Sequence, residues 1–446
     1  MSDGESERKA TRFDQLTQEL RRLSGAASAT PGESFAFWVP GRIEVLGKHT
    51  DYGGGRSLLC AVERGICVVA TPSDRRSSST HPTNWVRVRD VNSGETAEFE
   101  LASDVVSCPG HWSNYPITVA RRIASNFGNA NLGADIVFAS DLPLAAGVSS
   151  SSALVVAIFL TLSAVNDLPS RVEYRDNIHT PEDLAGYLGC VENGLDFKTL
   201  RGHAGVGTFG GSEDQTAILC ARANCLVQYS FCPVTFERSI ALPAGRTFVI
   251  AASGVLAEKT GAALGHYNRV SRRLSAGLEC WRRATGRADT SMGAAIASSA
   301  DAHDRIREVL RAATDAEYSS ESLLQRFEQF DVETNTLIPA AGEALANNDL
   351  AVFGDLVAQS QRGAESGLGN QIAETVALVQ EAHKLGAFAA SAFGGGFGGS
   401  VWALVASASV EEFRHTWAGA YHEAFPQHAR HSAFFGTRAG PAAIRL

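Results

Sequence analysis

Between residues 35 and 138 the apolar positions fall in short runs rich in Val, Ile and Cys, broken by turn residues. "SLLCAVERGICVVAT", "WVRVRDV" and "ADIVFAS" have this character and predict strands. The polar stretch "PSDRRSSSTHPTN" reads as a loop between two of them. The period then changes. "WSNYPITVARRIASNFG" predicts a helix, and the Ala-rich apolar run "ALVVAIFLTLSAV" predicts a buried one. A Pro before the serine-rich turn that leads into this run marks a loop-to-helix junction. Further on, "IALPAGRTFVIAASG" predicts a strand, and residues 261–313 and 318–362 predict interrupted helices. "AFAASAFGGGFGGSVWALVAS" predicts strand, glycine loop, strand; a helix near Val410–Ala424 and a strand near Ser432–Arg438 close the chain. At the start, Phe13, Leu16, Leu20 and Leu23 recur at helical spacing, as in an amphipathic surface helix. Strands and helices mixed without regular βαβ alternation predict an α+β fold, with a domain boundary between 220 and 245.

Length and composition narrow the picture. A chain of 446 residues accommodates two or three domains of roughly 100–200 residues each. With 44% hydrophobic and 20% charged residues it is globular in composition. The net charge of −9 argues against a general nucleic-acid or membrane-surface binder, yet leaves anionic small ligands open, because a local site can oppose the global charge. Eight scattered cysteines form no Cys-x-x-Cys pair. Cys220, Cys225 and Cys232 are close in sequence but no His follows at ligand spacing, so reduced thiols of a cytoplasmic protein are expected rather than a zinc site. The N-terminus lacks the apolar run of a signal peptide, and no stretch reaches the ~18 apolar residues of a membrane span.

The candidate chemistry sits in four stretches. "VPGRIEVLGKHTDYGGG" (Val39–Gly55) places Arg42, Lys48, His49 and Asp51 within ten residues, among apolar ones, closed by Tyr52 and three glycines. Charges packed this closely point to a ligand. "LPLAAGVSSSSALVV" (Leu142–Val156) joins small residues and four serines to a helix start. Free N–H groups and the positive end of the helix dipole suit a triphosphate there. It is not the Walker pattern, and a serine-rich turn capping a helix is the alternative. "SAFGGGFGGSVWAL" (Ser391–Leu404) lets backbone pass close to a ligand, or is a glycine-rich hairpin. "FGGSEDQTAIL" (Phe209–Leu219) sets Glu213 and Asp214 at the entry to an apolar segment, where an acid either takes a proton from a hydroxyl or serves as a cap.

In this order the stretches resemble the GHMP kinases, and within them the galactokinases, over most of the chain from Phe37 onward. "PGRIEVLGKHTDYGGG" is similar to the galactokinase signature Gly-Arg-x-Asn-x-x-Gly-Glu-His-x-Asp-Tyr. "HWSNY" (His111–Tyr115) resembles the Trp-x-Asn-Tyr segment near the adenine, "GSEDQ" stands where the family has Met-Asp-Gln, and "GHYNRVSRR" (Gly265–Arg273) resembles Tyr-Asn-x-Arg-Arg. "GGGFGG" resembles the third family motif.

The resemblance implies two α+β domains, a mixed-sheet one over 35–235 and a ferredoxin-like α/β sandwich over 236–446, behind a helical extension 1–34. The active site would lie between them. It implies transfer of the γ-phosphoryl of ATP, with Mg²⁺, to the anomeric hydroxyl of galactose or a close relative, by a cytoplasmic monomer or weak dimer without nucleic-acid or membrane partners. Asp214 would be the base and Arg42 its electrostatic companion. Lys48, His49, Asp51, Gly211 and Tyr267 would join these two around the sugar. Trp112, Tyr115, Gly147, Val148, Ser149, Ser150, Ser151, Ser152 and Ala153 would hold ATP, with core packing the alternative for the two aromatics. Ser151 and Glu192 would hold Mg²⁺.

Departures from the family pattern matter as much. Lys48 replaces a Glu and Glu44 replaces an Asn. Lys48 either attracts a carboxylate on the substrate, which would make the chain a galacturonate-type uronic-acid kinase, or pairs internally with Glu44. "SGLGNQIAETVALV" (Ser366–Val379) matches the family poorly. Asp214 follows Glu192 by 22 residues, with "DFKTLRGHAGVG" reading as an insertion, near the site or a surface loop. A non-catalytic galactose and ATP sensor is the rival class. The intact Arg42, serine loop and Asp214 favour an enzyme, and "GKHTDYGGG" disfavours a mevalonate or homoserine kinase.

Overall fold

The computed structural model describes residues 3–24, 34–73, 82–143, 146–255 and 264–446. Most of the predicted loop at 72–84, the link from the N-terminal extension, Leu144 and Ala145 of the serine-rich stretch and the first residues of the helical region at 261 lie outside the described residues.

Two sheets organise the chain. The first contains β1 (Phe35–Leu46), β2 (Arg56–Pro72), β3 (Trp85–Asp90), β4 (Thr96–Glu100), β5 (Ala134–Ser140), β6 (Cys225–Ser230) and β7 (Thr235–Ala241). The second contains β8 (Arg246–Ala252), β9 (Ala389–Phe393), β10 (Ser400–Ala406) and β11 (Ala433–Thr437). A short last strand, β12 (Ile444–Arg445), returns to pair with β1 in the first sheet. The first sheet runs β12-β1-β2-β5-β3-β4, with β6 and β7 joined to the start of β2, and the second runs β11-β8-β10-β9. The pairing of β3 with β5 is parallel, and the other strand pairs among the described residues are antiparallel. The α+β expectation therefore holds.

The predicted apolar run forms the helix Ser150–Val165, packed against β1 and β2 and buried on nearly every side. This all-round burial explains a segment with no polar face. The helices Asn114–Asn126 and Pro181–Asn193 cover it. The N-terminal helix Asp3–Leu23 lays Leu16 and Leu20 on Trp38, Cys67 and Val137, across the outer face of the first sheet. On one face of the second sheet, helices Ala373–Lys384 and Val410–Ala424 pack Leu378, Phe413, Trp417 and Tyr421. On its other face Phe248, Ile250 and Trp402 join the main core. Two π-helical turns, Glu333–Leu337 and Ala364–Leu368, interrupt the helical region, and such turns re-aim side chains. Among the described residues no helix is long and apolar enough to cross a membrane.

Candidate active site

β1 delivers Arg42 to the centre of the molecule. Its pairing with β2 shifts register between Pro40 and Arg42, and the Arg42 amide donates to the Val148 carbonyl at 3.2 Å. The strand is thereby tied to the serine loop. The Arg42 side chain is 2% exposed. Its Nε and Nη2 meet Asp214 Oδ1 at 2.7 and 2.5 Å, and Nη1 donates to the Gly147 carbonyl at 2.5 Å. Burial works against the charge of Arg42, but the carboxylates of Asp214, Glu213 and Glu44 outweigh it and hold the guanidinium pKa above its ordinary value. Asp214 lies in the first turn of the helix Glu213–Cys220 and is only partly buried.

The signature turn after β1 supplies the next groups. His49 adopts φ +57°, an uncommon conformation outside glycine. Arg326 holds it there, donating from Nη2 to the His49 carbonyl at 2.5 Å and to the Tyr52 hydroxyl at 3.1 Å. His49 Nε2 then lies 3.1 Å from the Gly395 carbonyl, and its ring is 5.4 Å from that of Tyr267. Asp51 accepts from the Tyr52 amide at 2.8 Å and from the Glu213 amide at 3.0 Å, so it joins the signature turn to the helix that carries Asp214. Gly211 is required at this join: a Cβ there would lie 2.3 Å from Asp51 Oδ2.

The serine loop enters its helix through two left-handed residues, Gly147 at φ +74° and Ser149 at φ +59°. The helix begins at Ser150, so the amides of its first turn have no intrahelical acceptor. The Ser149 hydroxyl is buried without a partner, which fits an anionic ligand at this end. Glu192, near the end of the helix Pro181–Asn193, accepts from Ser152 Oγ at 2.9 Å and from Gln215 Nε2 at 2.7 Å. Ser152 Oγ is also 3.2 Å from Asp214 Oδ2. The late glycine loop is braced against the serine loop, because Ser400 donates to the Ala146 carbonyl. Asn370 holds the same loop from the other side, accepting the Phe397 amide at 2.7 Å. The stretch Ser366–Val379, which fits the family pattern poorly, therefore has a defined task.

One cavity gathers Arg42, His49, Asp51, Gly211, Asp214 and Tyr267, with Ser152 and Glu192 at one end and Gly394–Gly395 at its wall. Trp112 and Tyr115 do not line it. Both are half-buried against the main core, with the Trp112 ring 6.0 Å from Phe138. Gly147, Val148, Ser149, Ser150, Ser151 and Ala153 also lie outside the cavity lining. It is Ser152, one residue beyond Ser151, that touches Glu192. The segment reading as an insertion is held by α-helical partners on two sides. Arg121, Arg122 and Asn126 donate to its carbonyls at 2.6–3.0 Å, and Asn268 binds Gly207 and Phe209. Its end, through Thr208 and Gly210, reaches the cavity.

Lys48 corrects an expectation. It is buried and absent from the cavity lining. Its Nζ donates to Ser360 Oγ at 2.8 Å; Ser360 in turn donates to Glu333 Oε1 at 2.8 Å, and Glu333 also accepts the Gly47 amide at 2.9 Å. The ammonium is thus satisfied behind the signature turn, and its attraction for Glu44 acts through the interior. An acidic substrate drawn by Lys48 is not favoured by this geometry.

In place of Lys48 the cavity presents two carboxyls that the sequence reading left out of the sugar site. Glu44 and Glu213 both line it. Strand alternation held the signal for Glu44: two residues after Arg42 on β1, it points to the same face. Burial pushes Glu44 up to about 7, against the pull of Lys48 and Arg42 and a hydrogen bond with Glu213. Burial, then the charges of Glu44 and Asp51, push Glu213 well above the ordinary carboxylate range. Ser57 Oγ donates to Glu213 Oε2 at 2.6 Å.

A serine loop ahead of a helix, an Arg–Asp pair and a polar cavity between two sheets form the layout of a small-molecule kinase. Comparison with known proteins shows what the chain is similar to. Residues 114–192 match the model of the GHMP kinases N terminal domain and residues 342–423 that of the GHMP kinases C terminal domain. Residues 27–72 match the galactokinase galactose-binding signature. A galactokinase of Roseiflexus sp. is 29% identical over 86% of this chain and 87% of its own length, and one of Chloroflexus aggregans 28% over 84% and 85%. The crystal structure of Lactococcus lactis galactokinase complexed with galactose superposes with a TM-score of 0.75 at 21% identity, over 97% of this chain and all of that one. Methanococcus jannaschii mevalonate kinase shares the fold, with a TM-score of 0.54 at 12% identity over 92% and 99%. The chain is thus similar to galactokinases over most of its length, with matches to both GHMP-kinase domains and to the galactokinase galactose-binding signature.

Proposed function

We propose that the protein phosphorylates the anomeric hydroxyl of galactose or a close relative, with ATP as donor. The observation that carries this reading is the buried Arg42–Asp214 pair at the meeting of the signature turn, the serine loop and the cavity. Asp214 takes the proton of the sugar 1-hydroxyl as that oxygen bonds to the γ-phosphorus and the bond to the leaving ADP oxygen breaks. Arg42 keeps Asp214 ionised and stabilises charge at the reacting oxygens. His49, Asp51 and Tyr267, which line the cavity with this pair, hold sugar hydroxyls. The free amides of the helix start and the Ser149 hydroxyl receive phosphate oxygens. Trp112 and Tyr115 flank the adenine from the edge of the core.

Mg²⁺ fits the oxygen donors present. Glu192 and the hydroxyl of half-buried Ser151 would hold it, with Ser152 and Gln215 orienting Glu192. Bound there, it would neutralise charge on the transferred phosphoryl. ADP release measured across neutral hexoses, pentoses and uronic acids, with Asp214→Asn as the inactive control, tests the reading. Galactose-dependent ADP release that disappears in the control is expected. Release with no sugar in the panel would leave the sensor class standing.

A further inference from the structure

The least explained feature of the cavity is its carboxyl floor. Glu44 is 3% exposed, and its Oε1 has no hydroxyl or amide donor. Its carboxyl meets that of Glu213, which is fixed by Ser57 on one side and by the Glu213 amide's own bond to Asp51 on the other. Both side chains line the cavity. Among the described residues Arg42 is the one Lys or Arg in that lining, and it is already engaged by Asp214. The nearby ammonium of Lys48 is turned away and bound to Ser360.

We propose that the Glu44–Glu213 pair determines substrate charge: it accepts a neutral hydroxyl or an ammonium group of the sugar and rejects a carboxylate. The proposal rests on the sugar-kinase reading above. Two carboxyls in contact within a buried site share a proton, since both cannot ionise side by side. Such a pair offers one donor and several acceptors, which suits a sugar hydroxyl. An ammonium group suits it equally, because it would take the place of the shared proton. A substrate carboxylate would add a third negative group to a site whose cation is committed elsewhere, and discrimination then comes from the repulsive element.

The experiment compares kcat/KM for galactose, galacturonate and 6-amino-6-deoxygalactose in the wild type, and for the first two sugars in Glu44→Gln, Glu213→Gln and Lys48→Met, with thermal melts to confirm folding. In the wild type galacturonate should fall at least about 100-fold below galactose, and the amino sugar less than about 10-fold. Glu44→Gln or Glu213→Gln should narrow the galactose-to-galacturonate ratio by about 10-fold or more, mainly through a lower KM for galacturonate, whereas Lys48→Met should leave the ratio unchanged. Galacturonate used better than the amino sugar by the wild type would overturn the proposal, and this result does not depend on any variant folding. So would a ratio that moves in Lys48→Met but in neither folded carboxyl variant. If galactose itself is not phosphorylated, the sugar-kinase reading fails first. If galactose is phosphorylated and the order of charged sugars is reversed, this inference alone fails.

Discussion

At the scale of single residues the site is governed by which buried charges find partners. Arg42 is held by Asp214 and the Gly147 carbonyl, and Lys48 by Ser360. Glu44 is the group left short, and it answers by keeping a proton. Its folded pKa of about 7 lies above the ordinary 4.5. The stability this gives is complete below the unfolded pKa and is lost as pH rises through about 7. Lys48, Arg42, Glu213 and Glu333 face the same carboxyl and set the slope with it. Melting temperature should therefore fall between about pH 4.5 and 7 in the wild type and fall less over that range in Glu44→Gln. Parallel pH profiles for the two proteins would contradict the assignment. Gly211 makes a second residue-scale prediction. A Cβ in Gly211→Ala would displace the Asp51 carboxylate, 2.3 Å away. The sugar KM should rise by about 10-fold with a smaller change in the ATP KM, an effect worth about 1.4 kcal/mol. Equal changes in both constants would count against Asp51 as a sugar ligand.

At the scale of elements, hydrophobic period carried most of the fold. The run that became Ser150–Val165 was legible because a helix buried on every side has no polar stripe, and β2, β3 and β5 were legible as β-branched runs. β4, with only two buried positions in five, carried too weak a signal. The placement of Lys48 was hidden for another reason. Whether a lysine faces a ligand or the interior is decided by what packs behind it, here Ser360 on the helix Leu350–Gly363 and Glu333 at a π-helical turn, both remote in sequence. Sequence could show that Glu44 and Lys48 departed from the family pattern together; it could not show that Glu44 would take the cavity side. Ser360→Ala tests the element contact. It removes the hydroxyl that accepts from Lys48 and donates to Glu333, so urea unfolding should show a loss of about 1–3 kcal/mol, with galactose still preferred over galacturonate. A shift in sugar preference would place Lys48 in the substrate site after all.

At the scale of the whole molecule, function depends on four remote stretches meeting. The signature turn, the serine loop, the helix start at Glu213 and the late glycine loop are brought together by the packing of two sheets, through Arg42 to Gly147, Asp51 to Glu213, and Ser400 to Ala146. Their order along the chain made the resemblance to galactokinases readable, and their convergence gives that resemblance a physical basis. The central claim is that this convergence transfers phosphoryl to the sugar 1-oxygen with Asp214 as base. Phosphorus and proton NMR of a reaction with galactose and MgATP tests it most directly. The wild type should form one galactose carrying phosphate on C1 for each ADP, and Asp214→Asn should form it slower by a factor of about 10²–10⁴ with the fold intact. Phosphate on another hydroxyl, or an Asp214→Asn enzyme as fast as the wild type, would contradict the account.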